Sequence, residues 1–161
     1  MAARLDTING FNMTRTISDP VTLCMADFAR TQSWGSLPDA VRVHTKRAWV
    51  NFVACATGGA VMPSVDAAVA GLLSMGEGDV PSLGRYESTS LPDAALIGSL
   101  AASAHTYDDT HLSTITHPTG PVASAVLATA YQLGSVDRPV NGEQMLNALA
   151  IGLELECRVS C

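Results

Sequence analysis

The tetrapeptide Ser-Leu-Pro-Asp occurs twice, at residues 36–39 and 90–93, and each copy stands directly before a long apolar run. A hydroxyl residue followed by proline in the first turn is a helix-start signal, because proline lacks the amide hydrogen that the first turn leaves unbonded anyway. The same punctuation recurs along the chain. Asp19-Pro20 precedes a stripe of Val21, Leu23, Cys24 and Phe28, Pro63 and Pro121 stand in or near first turns, and Asn141 stands before the final run. Glycines supply the stops: Gly58-Gly59, then Gly76 and Gly78, then Gly134. Ser36 is expected to cap the second helix and Ser90 the fourth. No alternating pattern lasts long enough to argue a sheet, and residues 79–89 read as a loop or a brief extended piece. The expectation is an all-α bundle of about six helices, with residues 1–18 a flexible leader and residues 19–161 one helical domain.

Two of these helices carry alanine, serine and glycine nearly all round, at residues 90–109 and 119–135. Such helices permit close approach from every side and belong at the centre of a bundle. The last helix meets no glycine or proline stop before Cys161. The reading is therefore of the front part of a larger polypeptide. Composition points the same way: 47% of residues are hydrophobic and 15% charged, against roughly a quarter charged in ordinary globular chains. Surface is then expected to be covered by a partner, a second copy or further sequence.

The most apolar stretch, Ala48–Met62, is shorter than the ~20 residues a membrane span requires and contains Asn51, Thr57 and two glycines. No membrane association is expected. A net charge of −6 without any basic run argues against nucleic acid. The N-terminus lacks the apolar core of a secretory signal. Cys24, Cys55, Cys157 and Cys161 show no Cys-x-x-Cys spacing, which suits reduced, mostly buried cysteines in a cytoplasmic protein.

Against this oily background, residues 105–120, His-Thr-Tyr-Asp-Asp-Thr-His-Leu-Ser-Thr-Ile-Thr-His-Pro-Thr-Gly, are densely polar. His105, His111 and His117 recur every six residues, a spacing that matches neither a helical zinc pair nor a zinc finger, so no metal is assigned. Taken singly, His105 reads as a satisfied core histidine within the fourth helix, and His111 as structural. The stretch as a whole demands more. Asp108 and Asp109 fall at a helix C-terminus, where the dipole disfavours carboxylates, so something must compensate for them. His117 stands just before a helix whose free N–H groups form a natural anion site. Imidazole exchanges a proton near neutrality, and Asp109 is near enough in sequence to orient it. An anionic substrate would also want a cation, but the stretch contains no lysine or arginine. Nothing in the sequence brings Lys46, Arg47 or Arg85 to His117.

Three stretches carry a family resemblance. Residues 37–59, residues 91–128 with their Asp-Asp-Thr and His-Pro-x-Gly pair, and residues 146–160 with Gly152, Glu154 and Arg158 resemble the N-terminal part of the MmgE/PrpD family. That family includes 2-methylcitrate dehydratases, cis-aconitate decarboxylases and iminodisuccinate epimerases. The resemblance implies a helical domain continued elsewhere by a lid that is absent from these residues. It further implies a homodimer, or pairing with missing C-terminal sequence, and a small di- or tricarboxylate substrate. No metal and no cofactor are implied. By position, His117 matches the active-site histidine and Thr110 a substrate-contacting threonine, with Asp108 and Asp109 the adjacent acids. His117 and Asp109 are the expected catalytic residues, and Asp108, Thr110, Thr119 and Gly120 are expected to bind substrate. Two positions depart from the common pattern: Thr106 and Asn51 stand where many relatives carry aspartate. The implied activity is that of a lyase, dehydrating 2-methylcitrate or a close analogue. Decarboxylation, epimerisation and a catalytically incomplete interaction module are the alternatives.

Overall fold

The computed structural model describes residues 20–134 and 138–160. The expected leader, the Asp19 cap and Cys161 lie outside the described residues. The chain divides into two compact units, residues 1–32 and 33–161. In the first, helix α1 spans Val21–Thr31. Asp27 and Arg30 pair one turn apart at 2.9 Å, and the Thr31 hydroxyl donates back to the Asp27 carbonyl.

The second unit opens with a 3₁₀ turn at Trp34–Ser36, followed by α2 (Asp39–Gly59) and α3 (Pro63–Leu73). Two-residue strands β1 (Val80–Pro81) and β2 (Ser88–Thr89) then pair antiparallel, and helices α4 (Leu91–Ser103), α5 (Thr119–Leu133) and α6 (Gly142–Val159) follow. The expected all-helical bundle is what forms, with one small extended pair in the segment read as loop. Among the described residues no single helix is long and apolar enough to cross a membrane. The apolar stretch Ala48–Met62 breaks at Gly59, and α3 departs from α2 at 84°.

The two Ser-Leu-Pro-Asp copies behave differently. Ser90 accepts from the Asp93 amide and donates its hydroxyl to the Asp93 carboxylate at 2.6 Å, so it caps α4 as expected. Ser36 does not cap α2. Its hydroxyl instead donates to the Ser33 carbonyl and accepts from the Ser33 amide within the 3₁₀ turn, leaving Pro38 to open the helix. The upstream Ser-Trp-Gly permits a turn that claims the hydroxyl first. Asn141 caps α6 reciprocally with Gln144.

The core joins Phe52 and Ala56 of α2, Val65 and Val69 of α3, Ile97 and Ala101 of α4, Ala123 of α5 and Leu149 of α6. Helices α4 and α5 lie against each other closely enough that a Cβ on Gly98 would stand 2.8 Å from Ser124 Oγ. Only one side of α4 is used in this way. Leu96 and Leu100 on its far side are 48% and 41% exposed, so the helix is not enclosed on every side.

His105 is not inside α4. The helix ends at Ser103 with Ala104 as its cap, and Thr106 adopts φ 56°, which turns the chain back. A left-handed backbone is costly for a β-branched residue. Thr106→Asn should therefore raise stability by about 1 kcal/mol, read as a rise of roughly 2–4 °C in Tm. An unchanged or lowered Tm would count against strain at this turn.

Candidate active site

The polar stretch forms a loop between the end of α4 and the start of α5, closed on itself by a bridge between His111 and Thr116. Ile115 takes φ 56° at the loop's tightest point. His111 Nδ1 lies 2.7 Å from the Thr114 hydroxyl, which in turn meets the Thr116 hydroxyl at 2.8 Å. His111 thus serves the loop's own shape. His105 is exposed, stacks on Tyr107 and approaches the Gly58 carbonyl at 3.4 Å. Neither histidine joins His117.

The compensation required by the paired acids is visible. Asp109 reaches across the loop to the first turn of α5, where its carboxylate accepts from the Thr119 amide at 3.2 Å and from the Thr119 hydroxyl at 2.6 Å. A carboxylate at a helix N-terminus satisfies free N–H groups and complements the dipole. Pro118, the residue preceding the helix, provides no side-chain cap, so Asp109 provides one from ten residues upstream. The negative charge that the sequence suggests for this helix start is that of Asp109 itself. Thr119 is 1% exposed, and Gly120 is buried against α4. Asp109→Ala leaves the buried Thr119 hydroxyl unpaired and should cost about 1–3 kcal/mol. Asp109→Asn, which keeps an acceptor, should cost less. Circular-dichroism melts of the two variants check the ranking.

Asp108 faces the other way. Its side chain is 4% exposed, Oδ2 accepts from the Ser103 hydroxyl at 2.9 Å, and Oδ2 also stands 3.5 Å from His117 Nδ1. Its Oδ1 is buried without a hydrogen-bond partner among the described residues. Behind it, Cys55 is buried on α2, and its thiol is pushed up by desolvation first and by the Asp108 and Asp109 charges next. Asn51, one turn earlier, donates from its side-chain amide to the Tyr107 carbonyl at 3.1 Å. An aspartate at this position could not donate that bond when ionised.

His117 is held by its Nδ1 edge. Nδ1 lies 3.0 Å from the Asp109 carbonyl and 3.4 Å from the Thr110 hydroxyl, and the side chain is 45% exposed. A carbonyl only accepts, so the contact with Asp109 places the hydrogen on Nδ1. In neutral imidazole the lone pair then belongs to Nε2, which has no partner among the described residues.

Arg85 and Lys46 are engaged elsewhere. Arg85 is bound by Asp66 at 2.7 Å, by Glu87 at 2.8 Å and by the Ala60 carbonyl, and Lys46 lies over the Trp34 ring. Among the described residues no three His, Cys, Asp or Glu side chains converge as metal ligands would. Ser103, which donates to Asp108, carries no signal in the sequence that marks it as part of the site.

The architecture defines an all-helical domain that presents one polar loop, its histidine held on a pair of aspartates, at the start of a central helix. Residues 24–161 match the family model described as the MmgE/PrpD N-terminal domain, and the chain belongs to that family. No curated protein and no solved structure matches it.

Proposed function

We propose that the chain forms part of a lyase active site that removes a proton beside a carboxylate of a small di- or tricarboxylate, with 2-methylcitrate dehydration as its reaction. The observation that carries this reading is the holding of His117: Nδ1 against the Asp109 carbonyl, Nε2 without a partner among the described residues, and the side chain half-exposed. A general base requires a lone pair aimed outward and a fixed ring, and this histidine has both. Asp108, buried beside Nδ1, steadies the imidazolium that forms. Asp109 fixes the ring through its carbonyl and anchors α5 through its carboxylate. Thr110, exposed beside the ring, is the hydroxyl placed to meet substrate oxygen, whereas Thr119 and Gly120 build the floor under the loop. The reaction needs neither metal nor cofactor and belongs to the cytoplasm.

Supporting this reading is the match to the MmgE/PrpD N-terminal domain over residues 24–161. Purified chain incubated with 2-methylcitrate should develop the ultraviolet absorbance of the conjugated dehydration product. Absorbance loss from cis-aconitate instead would assign decarboxylation, and inactivity toward both would favour the catalytically incomplete interaction module over the lyase.

The enzyme is read as a homodimer. Leu112 and Ile115, at 86% and 79% exposure, precede His117 on the same loop and favour a covering surface. Sedimentation equilibrium giving twice the chain mass, and a monomer from Leu112→Lys, are the expected results.

A further inference from the structure

The two oxygens of Asp108 are placed unequally. Oδ2 stands 3.5 Å from His117 Nδ1, whereas Oδ1 is buried without a partner among the described residues. A buried charge needs hydrogen bonds to stay where it is. Among the described residues the one other donor that reaches this carboxylate is Ser103, whose hydroxyl lies 2.9 Å from the same Oδ2. Ser103 is the last residue of α4, and the helix fixes its position. Ala101 and Ala102 beside it are buried, and a Cβ on Gly120, in the first turn of α5, would stand 3.8 Å from Ser103 Oγ. The Ser103 carbonyl accepts from the Thr106 amide at 3.1 Å, inside the turn where Thr106 takes φ 56°. Ser103 thus ties the start of the loop twice, by its carbonyl at Thr106 and by its hydroxyl at Asp108.

We propose that Ser103 is a positioning residue of the site: its hydroxyl fixes the Asp108 carboxylate beside Nδ1, and through it the imidazole of His117. The contacts run in the order hydroxyl, carboxylate, imidazole. A hydroxyl at the carboxylate end is remote from Nε2 and is not placed to act as a nucleophile; what it does is direct charge. A serine has one hydroxyl hydrogen to donate, and Ser103 gives it to Oδ2, the oxygen that faces the ring. The Nδ1 hydrogen then meets two acceptors, the Asp109 carbonyl at 3.0 Å and Asp108 Oδ2 at 3.5 Å. Both select the same neutral form, because the bond made by one ring nitrogen sets the state of the other.

Without that hydroxyl the carboxylate keeps His117 as its sole partner, and it turns away or draws Nδ1 off the Asp109 carbonyl. Either movement tilts the ring. It also frees the competing form, since the Thr110 hydroxyl, 3.4 Å from Nδ1, can donate to that nitrogen when it is unprotonated. The neighbouring groups are already committed. The Asp109 carboxylate is bound to Thr119, the Asn51 amide to the Tyr107 carbonyl, and the Cys55 thiol keeps its proton, held by desolvation first and the two acids next. Helix α5 contains no Lys, Arg, Asp or Glu that could replace Ser103.

The test compares Ser103→Ala with Ser103→Thr in the full chain. Ser103 is exposed at a helix end, where alanine favours the helix, and circular dichroism should show both variants folded. Nitrogen-15 NMR of the neutral imidazoles, with His117 assigned by its loss in His117→Gln, should show one form in the wild type, its hydrogen on Nδ1. Ser103→Ala should average two forms, and Ser103→Thr, which restores a hydroxyl, should return the single one. With 2-methylcitrate, Ser103→Ala should lose about 10-fold in kcat with KM nearly unchanged, and Ser103→Thr should recover most of it; this part rests on the lyase reading above. A single Nδ1–H form or an unchanged kcat in Ser103→Ala overturns the positioning role. A threonine variant that behaves like the alanine variant overturns it as well. A wild-type chain without turnover overturns the lyase reading alone, because the ring is observed without substrate and still decides the role of Ser103.

Discussion

His117→Gln should lower the turnover of 2-methylcitrate about 10²-fold or more, without loss of the folded loop. Glutamine keeps an N–H that can donate to the Asp109 carbonyl, the bond His117 makes at 3.0 Å. It has no nitrogen lone pair to serve as base at the Nε2 position. General-base catalysis contributes about 10²–10⁴-fold, so the loss belongs in kcat rather than in binding. Turnover near the wild-type value would remove His117 from the chemistry. Asp108→Asn provides the companion measurement. Its side chain can still meet Ser103, but the negative charge 3.5 Å from Nδ1 is gone, so its deficit should be smaller and should appear as a shifted pH profile.

The second large effect is structural and concerns two adjacent glycines that should respond with opposite signs. A Cβ on Gly59 would stand 2.0 Å from the Ala101 carbonyl oxygen and 2.9 Å from its carbonyl carbon. That neighbour is backbone in the last turn of the core helix α4 and cannot swing aside as a side chain would. Gly59→Ala must push α2 away from α4, at a cost of about 3 kcal/mol or more, roughly 6–12 °C in Tm for a chain of this size. Gly58 has nothing within 4 Å of its Cβ direction and lies in the last turn of α2. Gly58→Ala should gain up to about 1 kcal/mol from helix propensity. Paired thermal melts decide the matter. Equal effects at both positions would mean that α2 and α4 are not in backbone contact at Gly59.

These glycines show how far the sequence can be read. Gly58-Gly59 is legible as a helix stop, and α2 does end at Gly59. That one of the pair is a contact surface and the other is open is not legible, because it depends on which side of α2 meets α4. The two Ser-Leu-Pro-Asp copies make the same point. Four identical residues start two helices, yet the serine caps only one of them, since Ser33 competes for the hydroxyl of Ser36.

The candidate site divides similarly. The density of His, Asp and Thr in residues 105–120, and the difference between His117 and its two companions, could be read from spacing and from the helix that follows. The acids' assignments could not. Sequence proximity made Asp109 the partner of the imidazole, whereas its carboxylate caps α5 and Asp108 carries the charge beside Nδ1. Adjacent residues in a non-helical loop point in different directions, and their order does not say which.

By itself, the sequence determined the all-helical class, the number and most boundaries of the helices, the family and the dense polar loop proposed as the site. Each of these depends on local periodicity, on proline and glycine punctuation, or on a contiguous motif. Tertiary structure alone decided which aspartate faces His117 and that Asn51 secures the loop through Tyr107. The first depends on how a non-helical loop folds back on itself, and the second joins residues 56 positions apart across the packing of α2 on α4, where Gly59 meets Ala101. Helix periodicity specifies a face but not the partner that covers it.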